Sequence, residues 1–289
     1  MNKEHKIYFR LLQIAVFLTF MGRAWQHWFY EAPYREILWD EQRMSALIKA
    51  IFGMEWKEWV SSPSVDAAIT SFIDGMGIFY LVCAIAVFFV KKYPRIAAFL
   101  IKIGAITLII LAILYWKQKL YATGQFFEYT LAFMSPFFLL WLAKEGEMTK
   151  RLVLWMKVAI AITFCSHALY AAGHYPQPLS FFEMTANILG ITEEQTVIVL
   201  SIAAVLDILM SVLIFLPYRK IVLGALLYGV IWGFLTAIAR PWGYFHIEYW
   251  SESLHRWGFE AMFRLVHGFV PLVVFLYYYR KQIIKTATK

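Results

Sequence analysis

The apolar stretch Ile14-Ala-Val-Phe-Leu-Thr-Phe20 returns later in the chain, with small changes, as Val158-Ala-Ile-Ala-Ile-Thr-Phe164. A second match follows in the same order, because Ile51-Phe-Gly53 corresponds to Ile188-Leu-Gly190. Matches that keep a fixed order are typical of a chain in which one structural unit has been duplicated. The sequence therefore predicts two related halves, each built on the same plan.

The composition is that of a membrane protein. Of the 289 residues, 61% are hydrophobic and 16% are charged, whereas soluble domains carry about 25% charged residues. A helix needs about 20 mainly apolar residues to cross the hydrocarbon core of a bilayer. Segments of this kind lie at roughly residues 11–30, 67–90, 96–116, 126–143, 155–174, 196–216, 221–239 and 259–279.

These segments predict an all-α, polytopic membrane protein with eight transmembrane helices. Residues 1–150 would form a first four-helix bundle with a long outer loop at 31–66, and residues 151–289 would form a second bundle. Because four crossings return the chain to its starting side, both halves enter the membrane the same way up. The expected arrangement is a parallel repeat.

Basic residues orient the predicted protein. Lys and Arg are more numerous in the connections on the side of the N-terminus, for example at Lys91, Lys92, Arg219 and Lys220. This bias places both termini in the cytoplasm, and we expect the protein in a bacterial inner (plasma) membrane. The net charge of +8 thus reflects orientation, and we expect the lipid bilayer as partner and no nucleic acid.

Ionisable side chains inside apolar segments are costly and mark functional sites in many membrane proteins. Eleven ionisable residues lie in or beside these segments, and three of them are Lys102, Glu128 and His174. The residues that we select for a ligand pocket are Arg23, His27, Asp74, His167, Asp207, Glu260, Arg264 and His267.

Two of these combinations occupy matching places in the two halves. Arg23 and His167 are equivalent in the repeat, and so are Asp74 and Asp207. We expect Arg23 to pair with Asp74 and His167 to pair with Asp207, since pairing offsets much of the cost of a charge in hydrocarbon. Such pairs would either lock two helices together or line a polar pocket that opens to the outside.

The last apolar segment carries a third polar feature. Glu260, Arg264 and His267 follow one another at spacings of four and three residues, which places them on one helical face. They would form either a self-satisfied stripe or, if the stripe faces the bundle interior, a route on which His267 carries protons.

Metal and haem sites are disfavoured by the spacing of the histidines. Two histidines on different helices can ligate a haem, but no apolar segment contains an HxxxH, HxxE or ExxH pattern. His167 and His174 lie two turns apart, about 10 Å in height. The sequence also lacks a phosphate-binding glycine loop and a GxSxG elbow.

The second half resembles DoxX-like membrane proteins over residues 158–216. The resemblance is carried by Phe164-Cys-Ser-His167-Ala-Leu-Tyr-Ala, Pro176 and Pro178, Met184-Thr, Ile188-Leu-Gly190-Ile and Val205-Leu-Asp207. The first half follows the pattern more loosely, with Gly22-Arg23-Ala24 in place of the His-containing element and Asp74 at the acidic position.

The resemblance implies four-helix units and supports fold more than function. Relatives in that family include the membrane part of a thiosulfate–quinone oxidoreductase and cargo-receptor-like proteins. A quinone ligand or an association with sulfur redox chemistry is therefore the most specific expectation. A transporter and a non-catalytic scaffold for other membrane proteins remain alternatives, and the sequence leaves open whether the protein is an enzyme.

Overall fold

The computed structural model describes the backbone of residues 3–287 and the side chains of residues 5–280. Within that part of the chain the regular structure is helical throughout, with no β-strand. The α-helices are α1 (Lys3–Phe29), α2 (Arg35–Leu38), α3 (Glu41–Phe52), α4 (Trp56–Ser61), α5 (Pro63–Phe88), α6 (Pro94–Gln118), α7 (Thr123–Glu128), α8 (Thr130–Glu145), α9 (Lys150–Ala171), α10 (Leu179–Leu189), α11 (Glu193–Leu213), α12 (Arg219–Gly243), α13 (Trp250–Arg264) and α14 (Val266–Ala287).

Eight helical segments of the described chain are long and apolar enough to cross a membrane, so the expected class of an all-α multi-pass membrane protein is confirmed. The segments are α1, α5, α6, α7 with α8, α9, α11, α12, and α13 with α14. Successive crossings alternate in direction, so α1 and α9 end on the same side of the bundle. We call this the α10 side, because α10 directly follows the end of α9.

The matching Ile-x-Gly motifs of the two halves have the same structural role. Gly53 ends α3 with a φ of +67°, and Gly190 ends α10 with a φ of +63°. A left-handed residue is a common helix terminator, and glycine adopts it without a steric penalty. After the second motif, Thr192 and Gln195 form a capping box that starts α11.

The predicted outer loop at 31–66 folds into the short helices α2, α3 and α4. The predicted end of this loop at residue 66 is wrong, because α5 begins at Pro63, where Ser62 caps the helix. Within the segment, the Trp59 indole of α4 donates to the Leu38 carbonyl of α2 at 3.0 Å. Lys117 of α6, whose ammonium lies 3.0 Å from Asp40, holds the segment against the bundle. The hydrogen bond from Lys117 lowers the pKa of the Asp40 carboxyl.

Helix packing follows the same scheme in both halves. Helix α1 packs against α5 as α9 packs against α11, and α6 packs against α8 as α12 packs against α14. Across the halves, α1 contacts α13 and α14, while α9 contacts α7 and α8. These corresponding contacts agree with a duplication, which stays a prediction.

The fourth and eighth crossings are each interrupted at one residue. Tyr129 separates α7 from α8, and Leu265 separates α13 from α14. The residues just before the interruptions are Glu128 and Arg264, which lie next to each other in the bundle interior. The interruptions do not coincide with the prolines of these crossings, because α8 and α14 continue through Pro136 and Pro271.

Helices α12 and α14 approach each other closely at Gly233. Pro271 has no N–H, so the carbonyl of His267, four residues earlier, lacks its usual helical donor. Gly233 packs directly on that carbonyl, and a Cβ atom at this position would overlap with its oxygen. The contact fixes the position of His267 relative to α12.

Candidate functional site

A cavity of about 380 Å³ lies within the second half of the chain. Its walls come from α9, α10, α11, α12 and the α13–α14 segment. Most of the lining is apolar, and alanines at Ala171, Ala203 and Ala239 leave room between the helices. The polar part of the lining is His167, Asp207, Arg264 and His267 with Trp232, Thr185 and Thr236.

Buried ion pairs lie directly behind one end of the cavity. Arg264 lies 3.2 Å from the Glu128 carboxylate, and its Nε atom lies 3.9 Å from Glu260. Glu260 in turn lies 2.5 Å from Arg240. These four side chains are 8% to 15% exposed. Two guanidinium groups thus balance two carboxylates, and the cluster has no net charge.

The expected stripe of Glu260, Arg264 and His267 is only partly present. Glu260 and Arg264 contact each other one turn apart. His267, however, belongs to α14 beyond the interruption at Leu265 and faces the cavity next to His167. The nearest cation to Glu260 is Arg240 of α12, so the stripe ties two helices together rather than satisfying itself.

His167 and His267 present ring nitrogens with unused hydrogen-bonding capacity. Their ring centroids lie 5.2 Å apart in an edge-to-face arrangement. The Nδ1 atom of His167 is 3.9 Å from Glu128, beyond hydrogen-bond distance, and its Nε2 atom is buried without a partner. His267 is 6% exposed and makes no hydrogen bond to any described residue. Buried polar atoms of this kind are rare, and each calls for a physical explanation.

Asp207 lies on a different wall of the cavity, on α11. Its carboxylate accepts a hydrogen bond of 2.8 Å from the Tyr228 hydroxyl of α12. The expected pair between His167 and Asp207 is therefore wrong: both side chains line the cavity, but Tyr228 satisfies the carboxylate and Glu128 is the acid nearest to the histidine. Tyr228 and Trp232 stack on each other and form the α12 side of this region.

The expected pair between Arg23 and Asp74 is also wrong. Arg23 is 2% exposed, and its Nη1 atom donates to the Gln26 side chain at 2.6 Å. The guanidinium carbon lies 3.8 Å from the centre of the Phe263 ring and 5.1 Å from that of Tyr129. Aromatic faces stabilise a cation by their quadrupole, so rings and an amide take the place of a carboxylate.

Asp74 points away from the bundle and does not line the cavity. On α5 the buried positions are Ile73, Gly77 and Tyr80, while Asp74 is exposed. The orientation of α5 is fixed where Trp28 packs on Gly77 and donates to the Asp74 carbonyl at 3.3 Å. One residue along a helix is a rotation of about 100°, which is enough to turn Asp74 outward.

Arg23 and His27 form a site of their own outside the cavity. His27 is 3% exposed and lies within hydrogen-bond distance of the Arg23 carbonyl, at 2.6 Å, and of the Tyr34 hydroxyl, at 3.1 Å. Its polar atoms are therefore satisfied within the first half. The expected pocket shared by both halves is wrong, because the lining comes from the second half alone.

Sequence reasoning missed residues that complete the site. Glu128 is one of the ionisable residues of the apolar segments, but nothing in its surroundings along the chain points to Arg264. Arg240 lies at the end of its apolar segment, so the sequence suggests a residue at the membrane boundary, but the structure pairs it with Glu260. Tyr228 and Trp232 carry no charge, so the sequence does not mark them as site residues. Only the packing of α12 beside Asp207 shows their role.

No model of a protein family, no curated protein and no solved structure matches this chain.

Proposed function

We propose that the cavity binds a membrane-borne amphiphile with an uncharged, hydrogen-bonding head group, of which quinones are the best example. The observation that carries this proposal is that two histidines, His167 and His267, line the cavity, that the Nε2 atom of His167 is buried without a hydrogen-bond partner, and that His267 has no hydrogen bond to a described residue. A neutral imidazole donates from one ring nitrogen and accepts at the other. It can therefore donate to a quinone carbonyl or accept from a quinol hydroxyl.

The charges around the cavity disfavour an anionic head group. Arg264, the cation that reaches the lining, is already opposed by Glu128 and Glu260. An anionic head group would add an unbalanced charge in a region of low dielectric that already contains Asp207, at a cost of several kcal/mol. A neutral head group avoids this cost and still satisfies the histidines.

The size and lining of the cavity agree with this class of ligand. Small-molecule sites are typically about 300–1,000 Å³, with mostly apolar walls and a few placed polar groups. The cavity has about 380 Å³, aromatic and aliphatic walls from Phe164, Phe181 and Leu200, and its polar groups on the facing surfaces of α9, α11 and α14. A quinone ring would pack against the walls and direct a carbonyl to the histidines.

The resemblance to DoxX-like proteins supports the same class of ligand, since that family includes the membrane part of a thiosulfate–quinone oxidoreductase. A purely structural scaffold would have no reason to keep a cavity beside unsatisfied histidines. A transporter of polar solutes would need polar groups along the full depth of the bundle, whereas those of the cavity lining lie in one region of the second half.

Binding can be tested with the protein in lipid nanodiscs. Titration with decylubiquinone should quench tryptophan fluorescence, because Trp232 and Trp242 line the cavity. Replacing His267 by Phe removes a hydrogen bond of about 1.4 kcal/mol, so we expect about a tenfold weaker affinity. His174→Phe is the matched control, because His174 is exposed beyond the end of α9. Equal affinity of the two variants, or no saturable quenching of the wild type, would refute the proposal.

A further inference from the structure

We infer that the ligand reaches the cavity sideways, from the hydrocarbon of the bilayer, through an opening between α12 on one side and α11 with the C-terminal end of α10 on the other, and that an apolar tail of the ligand stays in this opening. The inference rests on the proposed function and adds the route and the tail to it.

Three of the lining residues on α12 are also exposed on the protein's surface. Leu235, Ile238 and Trp242 line the cavity, yet they are 53%, 45% and 64% exposed. The cavity is not enclosed, so exposed residues that also line it mark its rim. Ile231, one turn before Leu235, continues the same exposed stripe without lining the cavity. The opening therefore lies on the face of α12 that points to lipid.

The opposite edge of the opening has the same character. It is formed by Leu189 of α10, which is 53% exposed and lines the cavity, and by the half-buried Val199 of α11. The rim of the opening thus consists of large apolar side chains. Such a rim is suited to hydrocarbon, because side chains of this kind are the ones that transfer favourably into the bilayer core.

Helix α10 closes the end of the cavity that lies towards the α10 side. Hydrogen bonds tie α10 to the end of α12 at three places: Arg240 to Ser180 at 3.2 Å, Tyr244 to Glu183 at 2.6 Å, and Asn187 to the Gly243 carbonyl at 3.1 Å.

Packing strengthens this closure. Met184 of α10 is 8% exposed and lines the cavity, and Gly243 packs directly against its backbone. A solute from water would have to break these contacts before it could pass α10. A molecule dissolved in the bilayer meets only the apolar side chains of the rim, which can change rotamer and let it pass.

The geometry divides the ligand into two parts. The head group would lie at His167 and His267, deep in the cavity, and the remainder of the molecule would run past Ala239 to Leu235 and Trp242. A ligand of this shape has a polar ring and an alkyl or isoprenoid chain. The chain would gain free energy from contact with the rim, so affinity should rise with its presence.

The test compares two probes with the same ring, decylubiquinone and the tail-less 2,3-dimethoxy-5-methylbenzoquinone, each labelled with tritium and bound to the protein in nanodiscs. Leu235→Trp fills the opening, and Ile231→Trp is the matched control on the same exposed stripe. We expect Leu235→Trp to weaken decylubiquinone binding by about tenfold or more, since it removes the contact of several methylene groups. Binding of the tail-less probe should change less, and Ile231→Trp should leave both unchanged.

A second variant, Leu189→Trp, narrows the same opening from α10 and should reproduce the selective loss if Leu235→Trp proves unstable. If the wild type binds neither probe, the proposed function itself fails. If the wild type binds both, and both opening variants keep wild-type affinity for decylubiquinone or lose both probes equally, lateral access is refuted while ligand binding stands.

Discussion

At the scale of single residues, the bundle interior contains charges that are stabilised in two different ways. Arg264 is balanced by carboxylates, with Glu128 at 3.2 Å and Glu260 at 3.9 Å. Arg23 has aromatic rings and an amide around it, with Phe263 at 3.8 Å. The guanidinium of Arg264 also lies near this ring, 5.9 Å from the centre of Phe263.

Glu128→Gln should destabilise the protein, because it leaves Arg264 with only the more distant Glu260. Removing one partner of a buried pair costs about 3–5 kcal/mol, and the second carboxylate places this variant near the lower limit. The double variant Glu128→Gln/Arg264→Gln should recover most of the loss, since Arg240 and Glu260 remain as a neutral pair. Thermal unfolding in nanodiscs measures both. The exposed Glu194→Gln is the control, and a double variant as unstable as the single one contradicts the prediction.

Arg23→Met tests whether the charge of the other guanidinium matters for stability. Methionine fills a similar volume without the cost of burying a charge, so the free energy of unfolding should change by less than about 1.5 kcal/mol. Arg23→Ala should cost about 2–5 kcal/mol, because it leaves a cavity among Phe263, Tyr115 and Tyr129. Equal loss in both variants, measured by thermal unfolding, would show that the cation itself stabilises the bundle.

At the scale of elements, the site depends on how closely the helices approach one another. The carbonyl of His267, left without its helical donor by Pro271, packs on Gly233 of α12. On the other side of the cavity, α10 is tied to α12 through Asn187 and Gly243. These contacts set the distance between the histidines and the opposite wall.

Gly233→Ala should therefore separate α12 from α14. Overpacking of a close contact costs about 1–3 kcal/mol, and we expect weaker quenching by decylubiquinone because His267 moves relative to α12. Gly224→Ala, on the same helix, meets no atom within 4 Å. It should be neutral or stabilise by up to about 1 kcal/mol. Equal stability and equal ligand binding of the two variants would show that the close approach at Gly233 is unimportant.

The sequence predicts the elements better than it predicts the partners of side chains. Apolar segments of sufficient length identify the crossings, because hydrocarbon imposes one rule on all of them. Whether Asp74 faces in or out depends on a rotation of about one residue, which Trp28 and Gly77 decide. Contacts such as Arg240 to Glu260 join helices that are distant in the chain, and a pattern within one helix carries no information about them.

At the scale of the whole molecule, the two halves share a packing scheme but differ around Arg23 and around His167, the two residues that the predicted repeat makes equivalent. Around Arg23 in the first half, the space is filled by Tyr115 and Tyr129 together with Phe263 of the second half. In the second half, the space next to His167 is the cavity. One half is solidly packed where the other has room for a ligand.

Orientation in the membrane can be checked by cysteine labelling. In a background with Cys83→Ala and Cys165→Ala, we expect Lys57→Cys to react with a membrane-impermeant maleimide in intact cells. Glu147→Cys should react only after permeabilisation, because basic residues favour the cytoplasm. Both positions are exposed, and the cysteine-less background is the control. The reverse pattern would invert the topology, and labelling of both in intact cells would contradict the odd number of crossings between them, which are α5, α6 and α7 with α8.

The apolar rim of the cavity has a consequence for handling the protein. Detergent molecules, like lipids, present single alkyl chains to Leu235 and Trp242, whose side chains are largely exposed. A micelle can therefore insert a chain where a natural occupant would lie and wash that occupant out during extraction. Co-purifying molecules should accordingly be sought in polymer-excised native membrane patches, and their yield should fall as the time spent in detergent increases.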